Sequence, residues 1–155
     1  MAVEILSKNR AGGPNGGYYH RVKHVSKATG TDMIFGLYLP RSHASSKEST
    51  PVLFWLSGLT CDDTNFANKA GSRAFEMAEK EDIALVMPDT SPRGDGVPNV
   101  DAYDLGVGAG FYVDATEEPY KEHYQMYSYI TEELPALLEK EFKIGMSGLR
   151  SISGQ

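Results

Sequence analysis

Acyl transfer, metal binding and phosphate binding each need particular side chains at particular spacings, and this 155-residue chain can be searched for them directly. Four histidines, His20, His24, His43 and His123, are scattered over polar segments. None stands in a metal-ligand pattern such as H-E-x-x-H, and each is expected to be a surface histidine. No serine has glycine at both −2 and +2, so Ser57, Ser147, Ser151 and Ser153 all fail the G-x-S-x-G test for a nucleophile elbow. Cys61 is the single cysteine, which rules out an internal disulfide and a cysteine-based metal cluster. Asp89, Asp104 and Asp114 lie in loop segments, where they either face a cleft or cap turns. The glycine-rich stretch 106–110 does not match G-x-G-x-x-G and has no Walker lysine, so a phosphate loop is rejected.

The stretch V-L-F-W-L-S-G-L-T-C, residues 52–61, is the one that must position any chemistry. Its apolar run Val52–Leu56 is short and bounded by Pro51 and Ser57-Gly58. That pattern predicts a strand buried on both faces of a parallel sheet. The residues after it leave the strand's carboxyl end, where open α/β sheets bind ligands. Residues 83–87 predict a second buried strand. Between them, Asp62-Asp63-Thr64 offers helix N-caps, and residues 70–80 predict a helix with Ala70, Ala74, Met77 and Ala78 on one face. Strand, helix and strand make a βαβ unit whose right-handed crossover sets the strands parallel.

Upstream, the turn-rich segment 11–17 separates a first strand from a second at 18–26, and a turn at 28–30 leads to a third at 31–39. The last two are expected to form an antiparallel hairpin. Residues 42–50 read as a polar surface loop. Residues 90–116 show no helical or strand period, and a loop of that length is usually either functional or a sign of a missed element. Residues 124–142 carry an apolar stripe, Tyr127, Ile130, Leu134, Leu137, Leu138 and Phe142, with a kink expected at Pro135. Residues 149–153 suit another strand.

The chain suits one domain, residues 1–155, of α/β class: an amino-terminal antiparallel hairpin leading into a parallel sheet flanked by helices. A net charge of −6 with no run of Lys and Arg argues against nucleic acid. No apolar run approaches a membrane span, and the first residues lack the apolar core of a signal peptide, so a cytoplasmic protein is expected.

Four segments closely resemble the S-formylglutathione hydrolase (esterase D) family. They are W-L-S-G-L-T-C at 55–61, P-D-T-S-P-R-G at 88–94, G-A-G-F-Y-V-D-A-T-E at 108–117 and M-Y-S-Y-I-T-E-E-L-P at 126–135. The resemblance implies an α/β-hydrolase fold, of which this chain looks like the first half or so. It implies a serine hydrolase that cleaves S-formylglutathione to formate and glutathione in formaldehyde detoxification. Simple esters are further substrates, and no metal or organic cofactor is needed.

The family's nucleophile sits in a G-H-S-M-G-G elbow. Ser151-Ile152-Ser153-Gly154 resembles the approach to it. Gly154 matches the first glycine, and Gln155 stands where the family has histidine. None of the serine, acid and histidine of the triad is then present, and the chain is expected to be a truncated form, inactive alone. A catalytically dead short isoform with at most a binding role is the alternative, and a broad carboxylesterase on the same fold is a third reading. The resemblance places one oxyanion-hole N–H at Leu59, with Gly58 and Cys61 near the site. Cys61 is expected to act only as a small buried apolar residue. Trp55 and the 108–116 loop are candidate pocket walls, core packing being an equal reading for Trp55. With every later strand missing, the 52–56 strand is expected to lie at or near an exposed sheet edge, open to self-association.

Overall fold

The computed structural model describes residues 2–46, 48–69 and 71–155. A six-stranded mixed sheet organises them. Its strands are β1 (Val3–Arg10), β2 (Tyr18–Val25), β3 (Asp32–Leu39), β4 (Val52–Leu56), β5 (Ala84–Pro88) and β6 (Arg150–Gly154). The spatial order is β1-β2-β3-β5-β4-β6. β1, β2, β3 and β5 pair antiparallel in sequence across the sheet, so the expected hairpin is present. β4 pairs parallel with both β5 and β6, as the βαβ reading requires.

Helices cover the two faces. α1 (Asn65–Lys69) and α2 (Gly71–Lys80) lie between β4 and β5 in sequence. Phe66 and Phe75 from them pack with Tyr38, Leu85, Met87 and Trp55 on one face. On the other face, α3 (Met126–Ser128) passes through a π-helical turn (Tyr129–Glu133) into α4 (Leu134–Phe142). Met126, Tyr129, Leu134 and Leu138 close over Val22, Phe35, Phe54 and Val86. The register accounts for this split. Successive residues of a strand point to opposite faces, so Phe54 and Val86 join one core, and Trp55 and Met87 the other.

Several expectations need correction. The strand buried on both faces is β5, not β4. Leu53, Trp55 and Leu56 are only half-buried, because β4's outer neighbour β6 is exposed along its length and no helix among the described residues covers it. On α2 the inward residues are Phe75 and Ala78, whereas Met77 is 54% exposed; Ala70 lies outside the described residues. Tyr127 is likewise exposed, and Met126 and Tyr129 take its place in the stripe. Pro135 sits in the first turn of α4, where its missing N–H costs little, and the irregularity before it is the π-helical turn.

The histidines are not surface residues. His20 and His24 alternate with Val22 on the inward face of β2 and are 8% and 2% exposed. His24 stacks on Tyr129, and its Nε2 lies 3.1 Å from the tyrosine hydroxyl. His43 and His123 are half-buried, with Nδ1 2.8 Å from Thr50 Oγ1 and from the Thr29 carbonyl oxygen, respectively.

Candidate active site

The carboxyl ends of β4, β5 and β6 meet at one edge of the sheet, and the long loop after β5 folds back over them. β4 delivers the chain into a tight turn at residues 58–61, closed by the Cys61 N–H donating to the Gly58 carbonyl at 3.2 Å. Thr60 is left-handed there (φ 68°), which a type II turn requires of its third residue. In such a turn the second residue's N–H points outside the ring. The N–H groups of Gly58 and Leu59 have no acceptor among the described residues. Both residues line a cleft of about 150 Å³ that also touches Ser57, Phe111, Tyr112 and Gln155.

Residues 106–112 hold this turn from above. The Thr60 N–H donates to the Gly108 carbonyl at 2.9 Å, and the Tyr112 hydroxyl donates to the Ser57 carbonyl at 2.7 Å. Gly108 has φ +83°, and a Cβ on it would stand 3.1 Å from Thr60 Cα, so the position needs glycine on both counts. A Cβ on Gly110 would stand 2.5 Å from the Thr90 carbonyl oxygen. Phe111 and Tyr112 both adopt left-handed backbone (φ 48° and 53°). Non-glycine residues in that region carry strain of about 1–3 kcal/mol each unless their surroundings hold them, and such strain clusters at functional sites.

A buried polar network braces the floor. Asp89, 5% exposed at the end of β5, accepts from the Thr90 N–H at 2.7 Å and from Arg93 Nε at 2.8 Å and Nη2 at 3.0 Å. Arg93 Nη2 also donates to the Cys61 carbonyl at 3.1 Å, and so does the Thr90 hydroxyl. Ser91 Oγ accepts from the Gly108 N–H at 2.8 Å and donates to the Pro92 carbonyl. One ion pair thus ties the β5 end to the turn at residues 58–61. Burial pushes the Asp89 carboxyl above its ordinary range, and the Arg93 hydrogen bonds oppose that shift. Burial also pushes the Tyr112 phenol up, with the nearby Asp89 charge adding to it, so the hydroxyl stays a donor to Ser57.

The residues singled out from the sequence separate into two groups. Gly58, Leu59, Cys61 and Gly154 are brought together: Gly154 pairs with Leu56, and the Gln155 side chain lies 3.5 Å from where a Cβ would stand on Gly58. Cys61 is buried, and Trp55 packs at a tilt against Phe66 beside it, walling a second hollow of about 180 Å³. Asp89 is at the site as a brace. Asp104 is exposed on the loop, and Asp114 caps Ser128 through its N–H and hydroxyl at 3.0 and 2.6 Å. No histidine lines either hollow. The described residues of the site therefore contain no nucleophile with a base beside it, which acyl transfer requires. Nor, among the described residues, is any group of three or more His, Cys, Asp or Glu placed to hold a metal ion. Sequence reasoning did not anticipate Thr90, Ser91, Arg93 and Tyr112 as bracing residues. The i,i+4 spacing of Asp89 and Arg93 was the available signal.

The Esterase family model matches residues 26–155, most of the chain. The chain belongs to the esterase family. S-formylglutathione hydrolase of Paracoccus denitrificans is 49% identical over 144 residues, covering 93% of this chain and 49% of its own length. The solved structure of an S-formylglutathione hydrolase from Agrobacterium tumefaciens superposes with a TM-score of 0.89 at 45% identity, over 98% of this chain and 52% of that one. A ferulic acid esterase from Anaeromyces mucronatus shares the fold at 16% identity (TM-score 0.63, over 97% of this chain and 55% of that one). The α/β-hydrolase-like fold and the resemblance read from the four motifs are both borne out. This esterase-family chain spans about half the length of the relatives it matches.

Proposed function

We propose that this chain is the oxyanion-donor half of an S-formylglutathione hydrolase, a cytoplasmic serine thioesterase and carboxylesterase acting in formaldehyde detoxification. Leu59 contributes one donor of the oxyanion hole. Gly58 and Cys61 shape its turn, and Gly154 begins the nucleophile elbow. The observation that carries this reading is the unpartnered Leu59 N–H, lining a cleft at the carboxyl end of β4 beside Gly154-Gln155.

A serine hydroxyl, losing its proton to a histidine, adds to the thioester carbonyl carbon and moves the π electrons onto oxygen. The Leu59 N–H stabilises that oxyanion, and collapse of the intermediate expels the thiolate, which takes the proton back from the histidine. Water then repeats the sequence on the formyl-serine and releases formate. The serine, histidine and acid are supplied by sequence outside these 155 residues. By itself the chain would bind a small thioester or ester weakly and turn over neither.

The test joins this chain to the segment of the Agrobacterium enzyme that lies beyond the matched region, and assays S-formylglutathione and a chromogenic acetate ester. The expected outcome is thioester hydrolysis by the joined protein and none by the chain alone. Serine labelling by a fluorophosphonate on the purified chain, with turnover, would overturn the reading. So would a folded joined protein that cleaves neither substrate.

A further inference from the structure

A hollow larger than the candidate active-site cleft lies elsewhere in the molecule. A groove of about 540 Å³ lies over the far end of the sheet, where the start of β2 pairs with the end of β3 (Tyr18 opposite Leu39). Tyr38, the next residue back along β3, pairs with Leu85 near the start of β5, so this end is opposite the carboxyl edge that carries the cleft. Three cations line the groove, Lys8 and Arg10 from β1 and Arg41 from the 3-10 turn after β3. On β1, residues two apart share a face, and their cross-strand partners His20 and Tyr18 share it too.

No carboxylate lines the groove, and none of the three cations forms an ion pair among the described residues. The nearby acid Glu79 is already engaged by the Gly17 and Arg41 backbone N–H groups and the Tyr38 hydroxyl. Tyr18 organises the cations: Lys8 Nζ stands 4.3 Å over its ring centroid, and Arg10 Nη2 donates to its hydroxyl at 2.9 Å. A second Arg10 bond, from Nη1 to the Gly16 carbonyl at 3.1 Å, fixes the guanidinium at the groove wall. His20 is 8% exposed, and its Nδ1 is buried with no hydrogen-bond partner among the described residues. A buried polar group without a partner is uncommon enough to need an explanation. His43, the other imidazole of the groove, is oriented by Thr50.

In a chain whose net charge is −6, this is a local concentration of positive charge in a ligand-sized recess. We propose that the groove binds a small-molecule phosphate carrying at least two negative charges, held by Lys8, Arg10 and Arg41. A phosphate is favoured over a carboxylate by the arrangement of donors. A carboxylate carries one charge on two coplanar oxygens, whereas a phosphate monoester carries up to two on three tetrahedrally disposed oxygens, which can accept from cations on separate elements at once. The apolar walls at Tyr18, Leu39 and Pro40 leave room for the organic part of a phosphate ester.

Inorganic pyrophosphate is the probe, titrated calorimetrically into the purified 155-residue chain at low ionic strength, with citrate in a parallel arm. The expected result is saturable one-to-one binding of pyrophosphate, tighter than citrate. It should weaken about tenfold or more in Lys8→Gln/Arg10→Gln/Arg41→Gln, the loss that even one charge-assisted hydrogen bond carries. The triple variant Lys27→Gln/Lys121→Gln/Lys140→Gln changes net charge equally, at residues that do not line the groove, and should bind as the parent does. If the groove triple melts at lower temperature, Arg41→Gln alone, an exposed side chain, decides the matter by the same weakening. Absence of binding, citrate binding as tightly, or equal loss in both triples would overturn the proposal.

Discussion

Leu59 matters through its backbone, and that gives a sharp residue-level contrast. In the enzyme completed as above, Leu59→Pro removes the N–H and is expected to lower kcat by about 10²–10³ with a much smaller change in KM. Leu59→Ala keeps the N–H and should leave kcat near the parent value. Circular dichroism must show both variants folded, and a folded proline variant with unchanged kcat would exclude Leu59 as a donor. The buried imidazoles give a second residue-level prediction. Burial lowers the pKa of His20, His24 and His43 below the ordinary 6.5. The unfolded chain therefore takes up protons that the folded chain refuses once pH falls below about 6.5. The stability these groups contribute is complete above that value and is lost as pH falls through their folded pKa values. Each histidine contributes a slope of up to about 1.4 kcal/mol per pH unit. Urea midpoints measured from about pH 7 to about pH 5 should fall less steeply in His24→Gln than in the parent, and parallel slopes would count against His24 as a buried neutral imidazole.

At the scale of elements, α2 is held to the sheet by one aromatic side chain. Phe75 stacks on Tyr38 at 4.8 Å and on Tyr19 at 5.3 Å between ring centroids, and is 5% exposed. Phe75→Ala should cost about 3–5 kcal/mol, by lost transfer energy and the cavity left behind. Met77→Ala, two residues on and exposed, should stay within about 0.5 kcal/mol. Denaturant midpoints of the two variants check the assignment of the helix face. Equal losses would mean that the residue 70–80 face expected from the sequence is the buried one after all. That expectation weighed alanine spacing over the single aromatic, and burial followed the larger apolar area.

For the whole molecule, the consequential feature is the β6 edge. β6 is exposed throughout, and Ile152 and Leu149 are 65% and 47% exposed. Its outer backbone groups and apolar side chains form a template for intermolecular strand pairing. The isolated chain is expected to self-associate. Size-exclusion chromatography with light scattering should show mass rising with concentration, and a charge placed on the strand, Ile152→Lys, should reduce it. A monodisperse monomer with a sharp melt would show that β6 closes its own edge.

The sequence alone determined the local elements. Val52–Leu56 is β4 to the residue, the strands at 83–87 and 149–153 lie within one residue of β5 and β6, and the hairpin and parallel crossover formed as expected. Periodicity and turn residues encode these because neighbours along the chain decide them. The four motifs likewise pointed to the esterase family without help from coordinates. Tertiary structure decided which faces are covered. His24 lies inside, although β2 reads as polar, because Tyr129 of the π-helical turn, more than a hundred residues downstream, stacks on it. β4 is half-covered and β5 fully covered because cover depends on neighbours distant in sequence. The brace from Asp89 and Arg93 to Cys61, and the gathering of Lys8, Arg10 and Arg41 around one groove, join residues some thirty apart in the chain. No local pattern carries such encounters, since the folded path of the backbone creates them.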